Sequence, residues 1–470
     1  MNTHKVLIAA LLVPLGATLA LAPAASAVTP PAPIAASASA SAFAAPPVGP
    51  EEAVAAAFRS PEAALGRVAH PLRTTEPRGG LADLRPFGRM VGDARVVGLG
   101  EASHSSHEFF TVKHRILRYL VEEKGFRAFA LEAPWSTGLR LDAYLVRGEG
   151  DLKQIMDEEF QGTYRWWNNA EYRNLFQWIR AYNVEHPKDP VRFVGDDGGF
   201  AGAELYDKVN AYAAAARPDL APQLTELYRG LRPATDAETY VNDYLSKPMA
   251  ERKELAERTG RAVDLLEQRP GTDADAHAWA VQHATAIHQM TTLFAFDWDD
   301  PQSIPDLMLY RDRIMAENVA WWQQQTGDKI MLAAHNGHIA LKTYIPGAYP
   351  RVQGDFLRER LGGGYLSVGL TFDHGSFNAF GSDGGVHRFT VGPATPGTAE
   401  HTLDRVRYRD FVVDLRNAPA AARAWLAAPH TVKNIGATYP GIADAPQIRL
   451  SESYDVVIHL QRVEAARMLK

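Results

Sequence analysis

Glu101, His104 and Glu132 are the residues whose types and positions most directly suggest chemistry. Each follows a short apolar run that would place it at the end of a β-strand. A neutral imidazole can take a proton from water, while a neighbouring carboxylate fixes its tautomer and stabilises the imidazolium that forms. We therefore predict that His104 is a general base and that Glu101 or Glu132 orients this base or the attacking water.

His335 and His338 form a second motif of the same kind. They follow the apolar run 330–334 and lie three positions apart in the tetrapeptide His-Asn-Gly-His. An imidazole N–H can donate a hydrogen bond to a carbonyl oxygen on which negative charge develops. A serine nucleophile is less favoured, because no Gly-x-Ser-x-Gly elbow follows a predicted strand. The two motifs together with Glu132 predict hydrolysis of a carbonyl compound by activated water.

A β–α–β unit is predicted to bring the first motif and Glu132 together. Residues 95–99 and 128–131 are apolar enough for buried strands, and residues 106–124 carry apolar side chains at helical spacing. Such a unit makes a parallel pair of strands with a right-handed crossover. Because parallel strands end at the same edge of a sheet, residues far apart in sequence are expected to meet there.

A third parallel strand is predicted over residues 191–195. Asp196 and Asp197 follow it directly. We expect Asp197, together with Asp196 and Lys113, to support the site or to contact the substrate. The alternative is that the two acids cap the next helix and that the lysine is solvated.

The stretch from residue 202 to residue 326 shows only helical patterning, with breaks at prolines. We predict an all-helical subdomain inserted between strands of the sheet. Its last helix, over residues 304–325, carries Arg311 on the same stripe as its apolar side chains. A buried arginine requires an anionic or carbonyl partner, so Arg311 is expected to support the site or to contact the substrate.

Later apolar runs are expected to complete the sheet. Residues 329–333 and 365–372 are predicted strands, and the second of them ends in Asp373-His374. The runs 411–415 and 456–460 are predicted as late strands that pair antiparallel at an edge. The predicted fold is therefore α/β, with a mostly parallel sheet flanked by helices and with the helical subdomain inserted into it.

The composition excludes several classes of function. The chain has 470 residues, 46% of them hydrophobic, as expected for a globular protein with a large core. Its 49 Lys and Arg against 55 Asp and Glu give a net charge of −6, and it contains no basic run, so nucleic acid is not an expected partner. The absence of cysteine from the sequence excludes thiol catalysis and thiolate metal ligands.

The N-terminus is predicted to be an export signal. Lys5 precedes the apolar segment 6–22, and the Ala-Ser-Ala at 25–27 is a cleavage site before Val28. An uncleaved membrane anchor is the alternative, although the segment is short for a span of about 20 residues. Residues 28–50, rich in Ala, Pro and Ser, are predicted to be a disordered linker. We expect a secreted or extracytoplasmic protein with no membrane span after signal removal.

Two other interpretations remain open from the residues alone. Imidazoles and carboxylates can also bind Zn²⁺ or Mn²⁺, whereas general-base hydrolysis requires no cofactor. The second interpretation is therefore a metal-dependent hydrolase that uses the same five side chains, Glu101, His104, Glu132, His335 and His338. The third is a secreted ligand-binding protein that has the cleft but performs no turnover.

Five motifs, in this order, resemble those of the erythromycin esterases. The resemblance runs from about Leu84 to the C-terminus, and it implies an α/β domain, a helical subdomain and a cleft between them. The motifs are Gly100-Glu101-Ala102-Ser103-His104, Glu108-Phe109 with Lys113, Leu131-Glu132-Ala133-Pro134, Phe193-Val194-Gly195-Asp196-Asp197 and Ala334-His335-Asn336-Gly337-His338.

The resemblance also implies that an activated water opens a macrolide lactone without a covalent acyl-enzyme. The family's base would correspond to His104. Its other site residues would correspond to Glu101, Glu132, His335 and His338. Lys113 stands where resistance members can carry arginine, and lysine lacks the planar fork for bidentate contact, so the substrate or the rate is expected to differ.

We therefore predict an exported hydrolase that acts on a small-molecule ester or lactone. Its expected organisation is a signal peptide (1–27), a linker (28–50), the first part of the α/β domain (51–201), the helical subdomain (202–326) and the second part of the α/β domain (327–470).

Overall fold

The computed structural model describes residues 60–439 and 446–469, so the predicted signal peptide and linker lie outside the described residues. The β-strands are β1 (His70–Pro71), β2 (Val96–Leu99), β3 (Phe126–Pro134), β4 (Arg192–Asp197), β5 (Lys329–Ala333), β6 (Tyr365–Phe380), β7 (Val386–Val391), β8 (Phe411–Asp414), β9 (His430–Thr431), β10 (Gln447–Ile448) and β11 (Val456–Val463). The α-helices are α1 (Pro61–Val68), α2 (Arg85–Val91), α3 (His107–Lys124), α4 (Trp135–Arg147), α5 (Leu152–Glu159), α6 (Ala170–Glu185), α7 (Ala203–Ala216), α8 (Ala221–Leu227), α9 (Ala237–Leu245), α10 (Met249–Glu267), α11 (Ala274–Leu293), α12 (Ile304–Thr326), α13 (Asn336–Ile339), α14 (Gln353–Leu361), α15 (Ala399–Asp404), α16 (Ala420–Ala427) and α17 (Leu450–Ser453).

One mostly parallel sheet forms the centre of the protein. Within the described residues it has nine strands in the order β1-β8-β11-β6-β2-β5-β3-β4, and β7 pairs with β6 beside this path. Along the order from β11 to β4, each strand is parallel to the next. Antiparallel pairing within this sheet is confined to β1–β8, β8–β11 and β6–β7. The predicted fold class, a mostly parallel sheet flanked by helices, is confirmed.

The predicted pairing of the first two strands is wrong in one respect. β2 and β3 are parallel, but β5 lies between them and pairs with both. The chain returns to the sheet after the long helical stretch and inserts β5 there. Pairing across more than 200 residues depends on how the whole chain folds back, so the local pattern of β2, α3 and β3 does not encode it.

The C-terminal strands agree with the prediction in one respect and differ from it in two. The predicted antiparallel pairing of the runs 411–415 and 456–460 is confirmed, because β8 pairs antiparallel with β11. β6 does not stop before Asp373-His374 but continues to Phe380 and turns back into β7. β11 does not lie at the edge of the sheet, because its other side pairs parallel with β6. The physical reason is burial: the run 456–460 is buried on both faces, as expected for a strand inside a parallel sheet rather than at its edge.

Helices α7 to α12 fill the chain between β4 and β5, and no strand interrupts them in this described stretch. The last of them, α12, packs against β4 and α14. This contact carries the middle of α12 past the carboxyl ends of the strands. No helix in the described part of the chain is apolar over enough residues to cross a bilayer.

Candidate functional site

Four neighbouring strands, β2, β5, β3 and β4, present the predicted site residues at one edge of the sheet. Glu101 and His104 lie in the loop after β2, Glu132 lies near the end of β3, and Asp197 is the last residue of β4. His335 follows β5 and caps the N-terminus of α13. All of these side chains are buried. Residues separated by more than 200 positions are thus brought into one cluster.

The imidazole of His104 is held by a carboxylate that is itself held by an ammonium group. His104 Nδ1 lies 2.9 Å from Glu101 Oε1, and Lys113 Nζ donates to Glu101 Oε2. Burial lowers the pKa of Lys113, and the charge of Glu101 opposes this effect. Because Glu101 engages Nδ1, the basic lone pair of a neutral His104 is on Nε2.

His335 presents a hydrogen-bond donor with no acceptor. Its Nδ1 accepts a hydrogen bond from the backbone N–H of Gly337 (3.2 Å), so the proton of the neutral ring is on Nε2. That Nε2 is buried and makes no hydrogen bond in the described structure, and the ring centroid lies 5.1 Å from that of His104. Burial, reinforced by the charges of His104 and His338, holds the pKa of His335 well below its ordinary value. The ring therefore stays neutral.

Arg311 joins two of the acids at the strand ends. Its guanidinium donates to both carboxylate oxygens of Asp197 (2.6–3.2 Å) and to Glu132 Oε1 (2.9 Å). Burial alone would raise the pKa of Glu132, but the nearby charges of His338, His104 and Arg311 lower it. The arginine placed on an apolar stripe by the sequence thus has two carboxylate partners.

His338 is held between two acids, one of which the sequence analysis missed. Its Nδ1 lies 2.8 Å from Asp312 Oδ1, and its Nε2 lies 3.5 Å from Glu132 Oε1 and 3.4 Å from Arg311 Nη1. Burial would lower the pKa of His338, but Asp312 and Glu132 raise it. Asp312 was missed because a single acid in a long helix is usually solvated. Its position next to Arg311 on the same helix was the available signal.

A small cavity lies against this cluster. Its volume is about 10 Å³, the space for one water molecule, and its walls include His104, Glu132 and Arg311. The 3₁₀ helix Gly162–Trp167 forms the rest of the wall, with Tyr164, Trp166 and Trp167. These aromatic side chains narrow the space beside His104 to a small chamber. We call this cavity the water chamber.

Asp196 belongs to a separate network behind the water chamber. Its Oδ2 accepts a hydrogen bond from Gln353 Nε2 (2.7 Å), and its backbone oxygen accepts one from Asn318. Burial and the neighbouring Asp197 raise the pKa of Asp196 well above its ordinary value. Asp196 therefore links β4 to α12 and α14, and it does not line the water chamber.

The acids that could bind a metal are already paired with cationic side chains. Glu101 binds Lys113, while Glu132 and Asp197 bind Arg311. Within residues 60–439 and 446–469, no group of three or more His, Asp or Glu side chains has the arrangement of a metal site. The cluster is thus described by its own hydrogen bonds and ion pairs.

Comparison with known proteins identifies similar chains. The family model described as erythromycin esterase matches residues 121–463. Erythromycin esterase type II of Escherichia coli is 24% identical over 64% of this chain and 74% of its own length. A putative hydrolase of Bacillus subtilis, YbfO, is also 24% identical and covers 83% of this chain and 88% of its own length.

A solved structure supports the same architecture. A crystal structure of a Bacillus cereus protein superposes with a TM-score of 0.79 at 32% identity, and it covers 87% of this chain and 98% of the other.

Proposed function

The chain belongs to the erythromycin esterase family and is a hydrolase of that family, and from this premise we propose that it cleaves an ester or lactone bond with a water activated by His104. The observation that carries this proposal is the water chamber, which has space for a single water molecule and is lined by the imidazole of His104, whose Nδ1 is engaged by Glu101. The names of the relatives make a macrolide lactone the first substrate to test.

The proposed reaction uses the groups around the water chamber in fixed roles. His104 Nε2 removes a proton from water as the water oxygen bonds to the carbonyl carbon, while Glu101 stabilises the imidazolium. The Nε2–H of His335, which has no partner, donates to the oxygen that becomes negatively charged. The bond to the leaving oxygen then breaks, and that oxygen takes the proton from His104. No acyl-enzyme forms in this sequence.

His338 has a different proposed role from His335. The sequence suggested that both rings donate to the carbonyl oxygen, but both nitrogens of His338 face charged side chains. We assign it to the charge balance of the site. When His104 and His338 are both neutral, the buried acids outnumber the buried cations. The acids are Glu101, Glu132, Asp197 and Asp312, and the cations are Lys113 and Arg311. A proton on His338 therefore lowers the free-energy cost of burying the four acids.

The experiment that tests the function is mass spectrometry of an ester and lactone panel, including a macrolide, after incubation with the purified protein. We expect at least one compound to gain one water molecule. The same incubation with a chelator, followed by Zn²⁺ or Mn²⁺, tests the metal-dependent interpretation, which predicts loss and recovery of product. Thermal stabilisation by one or more compounds, with no product from any compound of the panel, would support the binding protein and contradict the hydrolase.

Export is a separate part of the proposal. The signal sequence and the linker lie outside the described residues, so the support comes from the sequence alone. We propose that the mature protein starts at Val28 and acts outside the cytoplasm. N-terminal sequencing of the protein recovered from the medium should give Val28 as the first residue. An intact Met1 on a membrane-bound product would contradict this proposal.

A further inference from the structure

A second cavity shares a wall with the water chamber. It has a volume of about 30 Å³, and Thr163 and Tyr164 line both spaces. Its other walls include Pro134 at the end of β3, Phe200 after β4 and Val241 on α9. We call it the outer pocket. It is the place where the sheet edge, the 3₁₀ helix and the helical stretch between β4 and β5 meet.

The wall between the two cavities is fixed by specific contacts. Tyr164 Oη donates a hydrogen bond to Asp197 Oδ2 (2.9 Å), which ties the phenol ring to the charged cluster. A Cβ atom at Gly199 would collide with Tyr164 Oη, so this position requires glycine for the ring to lie where it does. Tyr164 is thus held at the boundary of the one-water space and the outer pocket, and Thr163 lines both spaces beside it.

The chemistry of the outer pocket favours an apolar group. Pro134, Phe200 and Val241 contribute hydrocarbon surface, and the aromatic face of Tyr164 adds to it. Glu159 also lines the pocket, but its carboxylate accepts hydrogen bonds from Thr137 and Arg140 and is therefore already paired. The volume corresponds to two or three groups of the size of a water molecule.

We propose that the outer pocket binds the first carbons of the substrate's acyl chain, next to the carbonyl group. This inference rests on the proposed hydrolase function. A carbonyl carbon placed at the water chamber requires its acyl substituent to leave the chamber through a neighbouring space, and the outer pocket adjoins it. A longer chain continues past Gln161 and Glu238, which line both the outer pocket and a larger groove of about 650 Å³.

The test measures how kcat/KM depends on acyl length for p-nitrophenyl acetate, butyrate and hexanoate. Burial of one methylene group changes a rate constant by about fourfold, so the full-length protein should prefer butyrate to acetate by about fifteenfold. Val241→Phe fills the pocket and should bring this ratio close to one. Val184→Phe is the matched control, because Val184 is 59% exposed on α6, and it should leave the ratio unchanged.

A second variant and a binding measurement keep the two proposals distinguishable. If Val241→Phe does not fold, Val241→Ala enlarges the pocket and should raise the preference for hexanoate over butyrate. Binding of butyramide, followed by ligand-observed NMR, should be lost in Val241→Phe but kept in Val184→Phe. If butyramide binding is lost in Val241→Phe and kept in Val184→Phe while no ester is hydrolysed, the outer pocket is supported as a binding site and the hydrolase proposal fails. If esters are hydrolysed and neither Val241 variant changes the preference for acyl length, the pocket proposal is overturned.

Discussion

Two regions of the same sheet edge carry histidines and acids, yet their side chains bond in different ways. In the water-chamber region the side chains bind one another, as in the pairs His104–Glu101 and Arg311–Glu132. The second region, which we call the β6–β11 group, consists of Asp373, His374, Glu400, Lys433 and His459. Here Asp373 pairs with the partly exposed His374 (2.9 Å) and also accepts from the N–H of Ala394, while Glu400 accepts from the N–H of Lys433.

The difference shows that a titratable residue near a strand end is not sufficient for a reaction site. In the β6–β11 group, the polar side chains connect loops to the sheet, and Lys433 Nζ donates to the backbone oxygen of Asp373. β6 continues beyond these residues and its ladder with β11 includes His374. In the water-chamber region the strands end, the imidazole of His104 lines a cavity, and the neighbouring ring of His335 keeps a buried Nε2 without a hydrogen-bond partner. Substitutions in the water-chamber region should therefore change the rate of hydrolysis, whereas substitutions in the β6–β11 group should leave that rate unchanged.

The largest expected effect is on stability, from Arg311→Met. Removing the guanidinium leaves Glu132 and Asp197 buried without a counter-charge, which should cost about 3–5 kcal/mol in the free energy of unfolding. Arg416→Met, which breaks a pair of Arg416 with Asp414 at the partly exposed edge of the sheet, should cost about 1 kcal/mol or less. Urea unfolding of both variants measures the difference. Equal losses would contradict the tightly coupled network proposed for Arg311.

The next effect is on rate, from His335→Leu. Removing the donor that faces the developing charge should lower kcat by about 100-fold. His459→Leu is the matched control, because His459 Nε2 is also buried without a hydrogen-bond partner in the described structure but lies in the β6–β11 group. Its kcat should stay within twofold of the wild-type value. A similar loss in both variants would mean that the unpaired donor of His335 has no special role.

Asp312→Asn should have a smaller effect with a recognisable pH dependence. The pKa of His338 is raised by the charge of Asp312, so the amide should lower this pKa and move the basic limb of the rate profile to lower pH. We expect about a tenfold loss of kcat on the basic side and less on the acidic side. Asp306→Asn, in the exposed first turn of α12, should leave the profile unchanged. An unshifted profile in Asp312→Asn would contradict the assigned partnership.

The smallest effect concerns His107, the first residue of α3. Its ring binds Glu171 and Glu76, and the hydrogen bond to Glu171 is the main cause that raises the pKa of His107 to about 9. The folded-state pKa is above the unfolded one, so the stabilisation is fully present below about pH 6.5 and is lost as the pH rises through about 9. Over this pH range, we expect His107→Gln to lose about 1 kcal/mol less in the free energy of unfolding than the wild-type protein loses.

Thermal unfolding between pH 6 and pH 10 measures that difference. His387→Gln is the control, because His387 pairs with Asp383 on the surface. It should keep the wild-type pH dependence. The prediction for His107 fails if wild-type protein and His107→Gln lose stability in parallel over this range.

The sequence predicted those parts of the fold that depend on local pattern. The runs before Glu101, Glu132 and His335 are apolar over their whole length, so their strands and the positions of the residues after them could be predicted. The order of the strands could not, because β5 enters between β2 and β3 through contacts across the whole chain. β7 was missed because its strand Val386–Val391 is mostly solvent-exposed and lacks a core face.

The site was predictable where residue type agreed with a position at a strand end or, for Arg311, on the apolar stripe of a helix. His104 and Glu101 met both conditions. Asp312 met only one, because it is a single acid in the middle of a helix, and its pairing with His338 depends on how α12 crosses the sheet edge. The role of Tyr164 could not be predicted from the sequence. Its position between the two cavities exists only when the 3₁₀ helix lies over the strand ends.

The most direct test of the account is the rate of ester hydrolysis by His104→Ala, with His374→Ala from the β6–β11 group as its matched control. The account predicts that His104→Ala loses at least about 1,000-fold in kcat while its unfolding midpoint stays near that of the wild type, and that His374→Ala keeps its rate. Turnover by folded His104→Ala within tenfold of the wild-type rate would contradict the claim that His104 activates the water.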